Sequence, residues 1–264
     1  MLNALLEQAL PEGAQSEAQY KSQWRSHVAD VDDPFAAAVT GGLMADRFAW
    51  VFSGGYQGAM RAVFPNVKFA GWGAFAVSED RSGEMPWVNW AASDAGFVID
   101  GYKTWIAASD VVDQILFKAG RGGSARFFVV HRGHAGLTLT SKEKPGFLPD
   151  LSQGIARFES LLLGEDALLD TTRVPMFGTL EVLFIYIAFL AASHRRYADQ
   201  RTAAYEALTL AQGMVADWVP RDDLQFKSLD HQVQSILRDI SARHEAENPD
   251  WQRDKKLIEM YHRE

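Results

Sequence analysis

The stretch GWGAFAVSEDRSGEMPWVNWAASDAGFVIDGYKTWIAASDVVDQILFKA, residues 71–119, decides the fold. Apolar and polar side chains alternate along it with the period of two that marks a half-buried strand, and clusters of Gly, Asp, Asn and Ser separate the runs. The alternation continues to about residue 163 and predicts strands at Gly73–Val77, Pro86–Ala92, Gly96–Ile99, Lys103–Ala108, Gln114–Ala119, Arg126–His131, Leu137–Ser141 and Gly154–Leu161. Asp100-Gly101 and Gly122-Gly123 read as hairpin turns. So many short strands in sequence predict a β-barrel or sandwich.

Outward from this stretch the period becomes helical on both sides. Asp32-Asp33-Pro34 is a helix start, with a capping carboxylate and a proline at the first position. Gly41-Gly42 reads as an interruption, followed by a helix from about Leu43 to Val63 whose Met44, Phe48, Val51, Phe52 and Tyr56 share one face. Gly54, Gly55 and Gly58 each cost up to ~1 kcal/mol in a helix interior, which implies close packing by a neighbouring helix. Pro65 ends the segment. After about residue 176, Leu180–Ala192 is apolar on almost every face except at Glu181, the pattern of a helix buried all round. It reads as continuing in polar form to about Asp217. Pro220-Arg221-Asp222-Asp223 breaks the chain before an amphipathic helix from Leu224 to about Glu247, with Leu229, Val233, Ile236 and Ile240 on its face. The tail after Pro249 reads as a short surface helix. The predicted class is therefore α+β, with a helical part at 1–68, a middle β-barrel at 69–170 and a second helical part at 171–264.

Composition bounds the function. The 264 residues carry a formal charge of −8, which argues against a nucleic-acid surface, since that requires a basic stripe. The absence of cysteine excludes disulfides, thiolate metal sites and a Cys nucleophile. The first residues, with Glu7 and Glu12 and no basic start, do not read as a signal peptide. The apolar run Val182–Ser193 is shorter than the roughly 20 residues a membrane span needs. A soluble, cytoplasmic protein is the expectation.

Two segments carry chemistry. Phe75-Ala76-Val77-Ser78-Glu79-Asp80-Arg81-Ser82-Gly83-Glu84 is a strand running into a turn rich in hydroxyls and acids, and such a turn can gather backbone N–H groups around an anion. Asp100-Gly101-Tyr102-Lys103-Thr104-Trp105-Ile106-Ala107 follows some twenty residues on. The first resembles the Thr-Glu-Pro-x-Ala-Gly-Ser turn of the acyl-CoA dehydrogenase family, and the second its Asn-Gly-x-Lys-x-Trp-Ile-Thr strand. Val111–Leu116, Phe127–Val130, Gly136–Leu139 and Arg157–Ser160 follow in the family's order, so the likeness covers about 43–170 well and 175–215 loosely. The resemblance implies a helix–barrel–helix fold with shortened helical parts and an oxidoreductase acting on the CH–CH group of an acyl-CoA or related thioester. It also implies FAD held by Phe75, Val77, Ser78, Gly83, Trp105, Ile106, Ala107 and Arg201. In the family the last of these meets the flavin pyrophosphate, often of a neighbouring subunit. A homodimer or higher oligomer is expected, also because the helices 43–63 and 180–192 offer more apolar surface than a shortened helical part covers.

The sequence departs from that pattern. Ala107 stands where the family has a Thr that donates to the flavin ring, a loss on the order of 1 kcal/mol. Glu84 stands where the family has Ser, and a carboxylate 4 Å from a phosphate repels it by about 4 kcal/mol at an effective dielectric of 20. Tyr197 and Arg201 keep the family's four-residue spacing, with Ala204-Tyr205 in place of Phe-Gly. The bland alternative is a solvated helix face with an Arg195–Asp199 pair. The family's base falls near Pro175, where no carboxylate stands. Glu181 is the nearest candidate, with a structural acid near a helix N-terminus as the other reading. His131 and His134 lie three apart on a loop with no further ligands marked, so no metal site is expected. A non-catalytic homologue, acting as a binding or partner subunit without FAD, is the alternative function.

Overall fold

The computed structural model describes residues 1–28, 30–143, 146–218, 220, 223–244 and 249–262. The proposed break at Arg221-Asp222 and the helix end at Glu247 lie outside these residues. The chain divides into two units, one formed by 1–63 with 176–264 and the other by 64–175.

The first unit is helical: α1 (Leu2–Leu6), α2 (Glu17–Val28), α3 (Pro34–Met44), α4 (Phe48–Val63), α5 (Phe177–Arg196), α6 (Arg201–Asp217), α7 (Leu224–Arg243), α8 (Pro249–Asp254) and α9 (Lys256–Glu259). Helix α3 starts as its sequence requires, with Asp33 accepting a 3.0 Å hydrogen bond from Phe35 N. It is not interrupted at Gly41-Gly42, and the break falls instead at residues 45–47. Those glycines serve contact. A Cβ on Gly41 would sit 2.9 Å from Gly54 Cα, one on Gly42 would strike the Ala188 carbonyl, and one on Gly55 would sit 2.5 Å from Ile185 Cα. The glycines let α3 and α4 lie against each other and against α5, so the ~1 kcal/mol helix cost of each is set against close backbone packing.

Helix α5 has 20 residues, long and apolar enough by composition to cross a membrane. Here its apolar stretch Leu180–Ala192 is buried against α3, α4 and α6, apart from the half-buried Glu181. The helical unit thus covers this surface itself, and the apolar-surface argument for a second copy loses its premise. Helix α5 does not run on to Asp217. It ends at Tyr197, whose extended backbone (φ −119°, ψ 102°) is followed by a short 3₁₀ turn and then by α6. Arg195 fastens the end of α5 by donating to Leu43 O (3.0 Å) and Leu10 O (2.7 Å) and pairing with Glu12. On α7, Leu229, Val233, Ile236 and Ile240 are buried as the periodicity predicts. The tail departs from a surface helix, because Trp251, Leu257 and Ile258 are buried and Trp251 Nε1 donates to Asp46 O at 2.9 Å.

Among the described residues the second unit holds seven strands: β1 (Gly73–Ala76), β2 (Asn89–Ser93), β3 (Gly96–Ala107), β4 (Gln114–Ala119), β5 (Arg126–His131), β6 (Leu137–Ser141) and β7 (Gln153–Leu163). They do not close into a barrel. They form a three-stranded sheet, β1-β4-β5, and a four-stranded sheet, β2-β3-β7-β6. The two sheets share one core, in which Phe117 lies 4.4 Å from Phe158 and Phe97 5.1 Å from Phe128 between ring centroids. β1 pairs with β4 in parallel, and side chains at the start of β4 anchor the chain before β1. Asp113 accepts from Trp72 N at 2.7 Å and Gln114 Oε1 from Ala70 N at 2.8 Å.

Asp100-Gly101 is not a hairpin turn. It lies inside one continuous strand, β3, where the register against β7 shifts between Ile99 and Gly101. Gly101 takes φ +123°, and a side chain there would strike the Trp87 carbonyl. The extra residue of this bulge is on β7, where Glu159-Ser160 face Asp100 and Ser160 takes φ +46°, while Gly101 opposite supplies the positive φ that makes Asp-Gly look like a turn. Gly122-Gly123 does lie in the β4–β5 connection.

The two kinds of helical glycine separate in a stability measurement. Gly42→Ala should lose about 1–3 kcal/mol through overpacking. Gly213→Ala, on the exposed side of α6 with no neighbouring atom within 4 Å, should gain about 0.5–1 kcal/mol. Urea unfolding of both variants checks the assignment, and equal effects of one sign would refute it.

Candidate functional site

The acidic turn is held against β3 by backbone and charge together. Thr104 N donates to Ser78 O (3.0 Å) and Tyr102 N to Pro86 O (2.9 Å), on either side of the turn. These amides are available because β2 pairs with β3 only as far as Asp100, which leaves that edge of β3 open beyond it. Between them Lys103 points inward. Alternation puts it on the same face as Phe97 and Ile99, and its side chain is fully buried. Its ammonium lies 2.7 Å from Glu79 Oε1. Burial pushes the Lys103 pKa down and the Glu79 carboxylate opposes that shift. Arg121 sits 3.6 Å from the other Glu79 oxygen and lies over the Trp87 ring.

The interior of the turn is organised by Asp80. Its carboxylate accepts from Ser82 N (3.0 Å), Ser82 Oγ (2.7 Å) and Met85 N (2.9 Å), while Ser82 Oγ accepts from Glu84 N (3.3 Å). These donors, led by the Ser82 hydroxyl and the Met85 amide, lower the Asp80 pKa to about 2. Gly83 supplies the positive φ (+83°) that the turn needs. The amides that such a turn offers to an external anion are therefore engaged by a carboxylate of the chain.

Around this turn the sequence-predicted residues sort by exposure. Val77 is 44% exposed and Ser78 is exposed, directly after β1. Trp105 is half-buried and its Nε1 donates to Gln153 Oε1 at 3.1 Å, while Gln153 Nε2 donates to Phe147 O at 2.7 Å. Phe75, Ile106 and Ala107 are buried, Phe75 with its ring 5.3 Å from Phe64 and 6.0 Å from Phe127. The structure thus places Val77 and Ser78 beside Thr104–Trp105, with Phe75, Gly83, Ile106 and Ala107 in the same β unit. Lys103, Asp80 and Gln153 escaped the sequence reading as site residues. Lys103 had a signal, because the period of two places it inward beside apolar partners.

Arg201 and Glu181 lie in the helical unit. Arg201 is exposed at the start of α6, and its Nε donates to His194 O at 3.4 Å. Among the described residues no carboxylate lies within ion-pair distance of it. With Asn3, Glu7, His194 and Tyr205 it lines an open cavity of about 430 Å³. Burial, then the Arg201 charge, pushes the His194 pKa down. The Arg195–Asp199 pair of the alternative reading does not form; Asp199 is paired with Arg243 (3.1 Å) and His244 (3.2 Å). Glu181 is half-buried one turn into α5. Among the described residues no group of three His, Asp or Glu is placed to hold a metal, and His134 Nδ1 is 2.7 Å from Ala135 O.

The Asp80 assignment has a pH consequence with a fixed sign. A carboxylate with a depressed folded pKa contributes order that is fully present above its ordinary value near 3.8 and is lost as pH falls through about 2. Carbon NMR of the Asp80 carboxyl should show a midpoint near 2, and Ser82→Ala should raise it. A wild-type midpoint near 3.8 would contradict the hydrogen-bonded turn.

No protein-family model and no curated protein sequence matches the chain. Solved structures do match. An FAD-dependent dehydrogenase superposes with a TM-score of 0.66 at 12% identity, covering 97% of this chain and 91% of its own. FkbI, for biosynthesis of a methoxymalonyl extender unit, gives 0.62 at 15% identity over 92% and 90%. Butyryl-CoA dehydrogenase from Megasphaera elsdenii gives 0.60 at 11% identity over 86% and 78%. The chain has the fold of the acyl-CoA dehydrogenase-like flavoproteins, with an open pair of sheets as its β part.

Proposed function

We propose that this chain is an acyl-CoA dehydrogenase-like flavoprotein, an oxidoreductase that acts on the CH–CH group of an acyl thioester with FAD. One observation carries the reading. The 3.0 Å bond from Thr104 N to Ser78 O holds an exposed apolar residue and an exposed hydroxyl, Val77 and Ser78, alongside the Thr104–Trp105 segment of β3. A flat apolar surface with one hydroxyl suits a flavin ring, and Gln153 fixes the indole that would lie beside it. Bound FAD would supply the two-electron acceptor for such a reaction. The residues present fit the ring. They do not fit a pyrophosphate at the turn, where Asp80 holds the amides and Glu84 adds an exposed charge.

Arg201 is the cation that fits the phosphates, being exposed and unopposed among the described residues. In the family that the chain resembles this cation often comes from a neighbouring subunit, so the proposal includes a homodimer or higher oligomer. Glu181 is the candidate base, which would remove the α-proton of the thioester. A second reading, a partner subunit without FAD, draws on the filled turn and on Ala107.

The absorption spectrum of the purified protein separates the two. Oxidised-flavin peaks, or their appearance with added FAD, support the enzyme, and a colourless chain that ignores FAD supports the partner. Given binding, Arg201→Ala should weaken FAD by about 1.5–3 kcal/mol, the worth of a charged hydrogen bond, and Ala107→Thr should tighten it by about 0.5–1.5 kcal/mol. Fluorescence titration reads both, and unchanged affinity in Arg201→Ala removes the phosphate role. Sedimentation of the FAD-loaded protein tests assembly. A monomer at full affinity would refute the shared site.

A further inference from the structure

The turn at 78–85 has the form of an anion receptor and already contains an anion. Three backbone amides, those of Ser82, Glu84 and Met85, converge within four residues. Successive N–H groups of this kind form a concavity that binds phosphate or carboxylate groups. Two of the three donate to the Asp80 carboxylate. The third donates to Ser82 Oγ, whose own proton goes to Asp80 at 2.7 Å. An arriving anion would find each of these donors engaged. It would also have to displace a carboxylate tethered two residues away, whose effective concentration is of the order of millimolar or higher. The exposed Glu84 adds repulsion at the rim, while Glu79 on the same turn is matched by Lys103. Arg81 is the turn's single cation and is exposed.

We propose that Asp80 is a built-in anion that closes turn 78–85 to phosphate-bearing groups, making it a specificity-determining residue that rejects charge at this position. The turn then contributes the Ser78 hydroxyl and the docking of β3, and nothing to a ligand's phosphates. Selection of FAD over riboflavin falls to cations outside the turn, with Arg201 first among them. This flavin consequence rests on the function proposed above, whereas the closed turn does not.

The test follows the backbone amides of Ser82, Glu84 and Met85 by NMR in the full chain, as wild type, Asp80→Ala and Asp80→Asn, titrated with inorganic pyrophosphate. In wild type these amides should stay unshifted into the millimolar range. In Asp80→Ala they should shift saturably, with an affinity at least tenfold above wild type. Asp80→Asn keeps an acceptor for the turn and loses the charge, so it should gain at least threefold. It decides the matter alone if Asp80→Ala does not fold. Wild-type amides that shift as strongly as those of the variants, or variants that gain nothing, would overturn the proposal. In a second arm, Arg201→Ala is titrated with riboflavin and FAD. Equal affinities within threefold are expected, and a tenfold preference for FAD with shifts at 82–85 would also overturn it. If neither flavin binds the wild type, the flavoprotein reading fails and the pyrophosphate arm still decides the role of Asp80.

Discussion

The β unit depends on one buried charge. An ammonium inside an apolar core is costly unless paired, and Lys103 stands on the inward face of β3 with Phe97 and Ile99. The carboxylate that pairs with it is Glu79, 24 residues earlier in the chain. That pairing, with the backbone bonds at Ser78 and Pro86, holds the turn on β3. The exposed Val77–Ser78 pair and the half-buried Trp105 become neighbours as a result. The geometry of the proposed site is therefore a consequence of how a strand accommodates a lysine.

The turn's chemistry follows from its position. The turn lies at the surface, and Asp80 supplies acceptors for its Ser82 and Met85 amides from within the chain. The family resemblance puts proline at that place in the motif, a residue with no side-chain acceptor, so the Asp80 clamp departs from the pattern that the resemblance implies. The helical unit is built on a different constraint. There, Gly41, Gly42 and Gly55 allow backbones to touch, which fixes α3, α4 and α5 at close range. Arg201 starts a helix packed on α5, and its cavity is closed at one side by residues of α1.

Much of this was legible in the sequence where a local pattern carries the information. Strands β4, β5 and β6 fall where their alternation and flanking turn residues put them, and the Asp33 cap starts α3 at Pro34. Misreadings arose where one residue type serves two structural ends. Gly41-Gly42 reads as a break and is a contact surface, and Asp100-Gly101 reads as a turn and lies within a strand, opposite a bulge in β7. The end of α5 at Tyr197 carries no Gly or Pro to announce it. The parallel β1–β4 pairing was illegible because it is anchored by residues some 40 positions apart, Trp72 with Asp113 and Ala70 with Gln114. At the site, the motif order pointed to Ser78 and Trp105, while the Glu79–Lys103 pair and the Asp80 clamp emerge only from the folded geometry.

The central claim is that flavin seats beside Val77–Ser78 and Trp105 on a turn whose amides are already engaged. Hydrogen–deuterium exchange of the full chain with and without FAD tests it directly. The Ser82 and Met85 amides should exchange slowly in the free protein and be unchanged by FAD, while protection rises at 77–78 and 104–107. Fast exchange at Ser82 and Met85 in the free chain, slowed only when FAD is added, would contradict it.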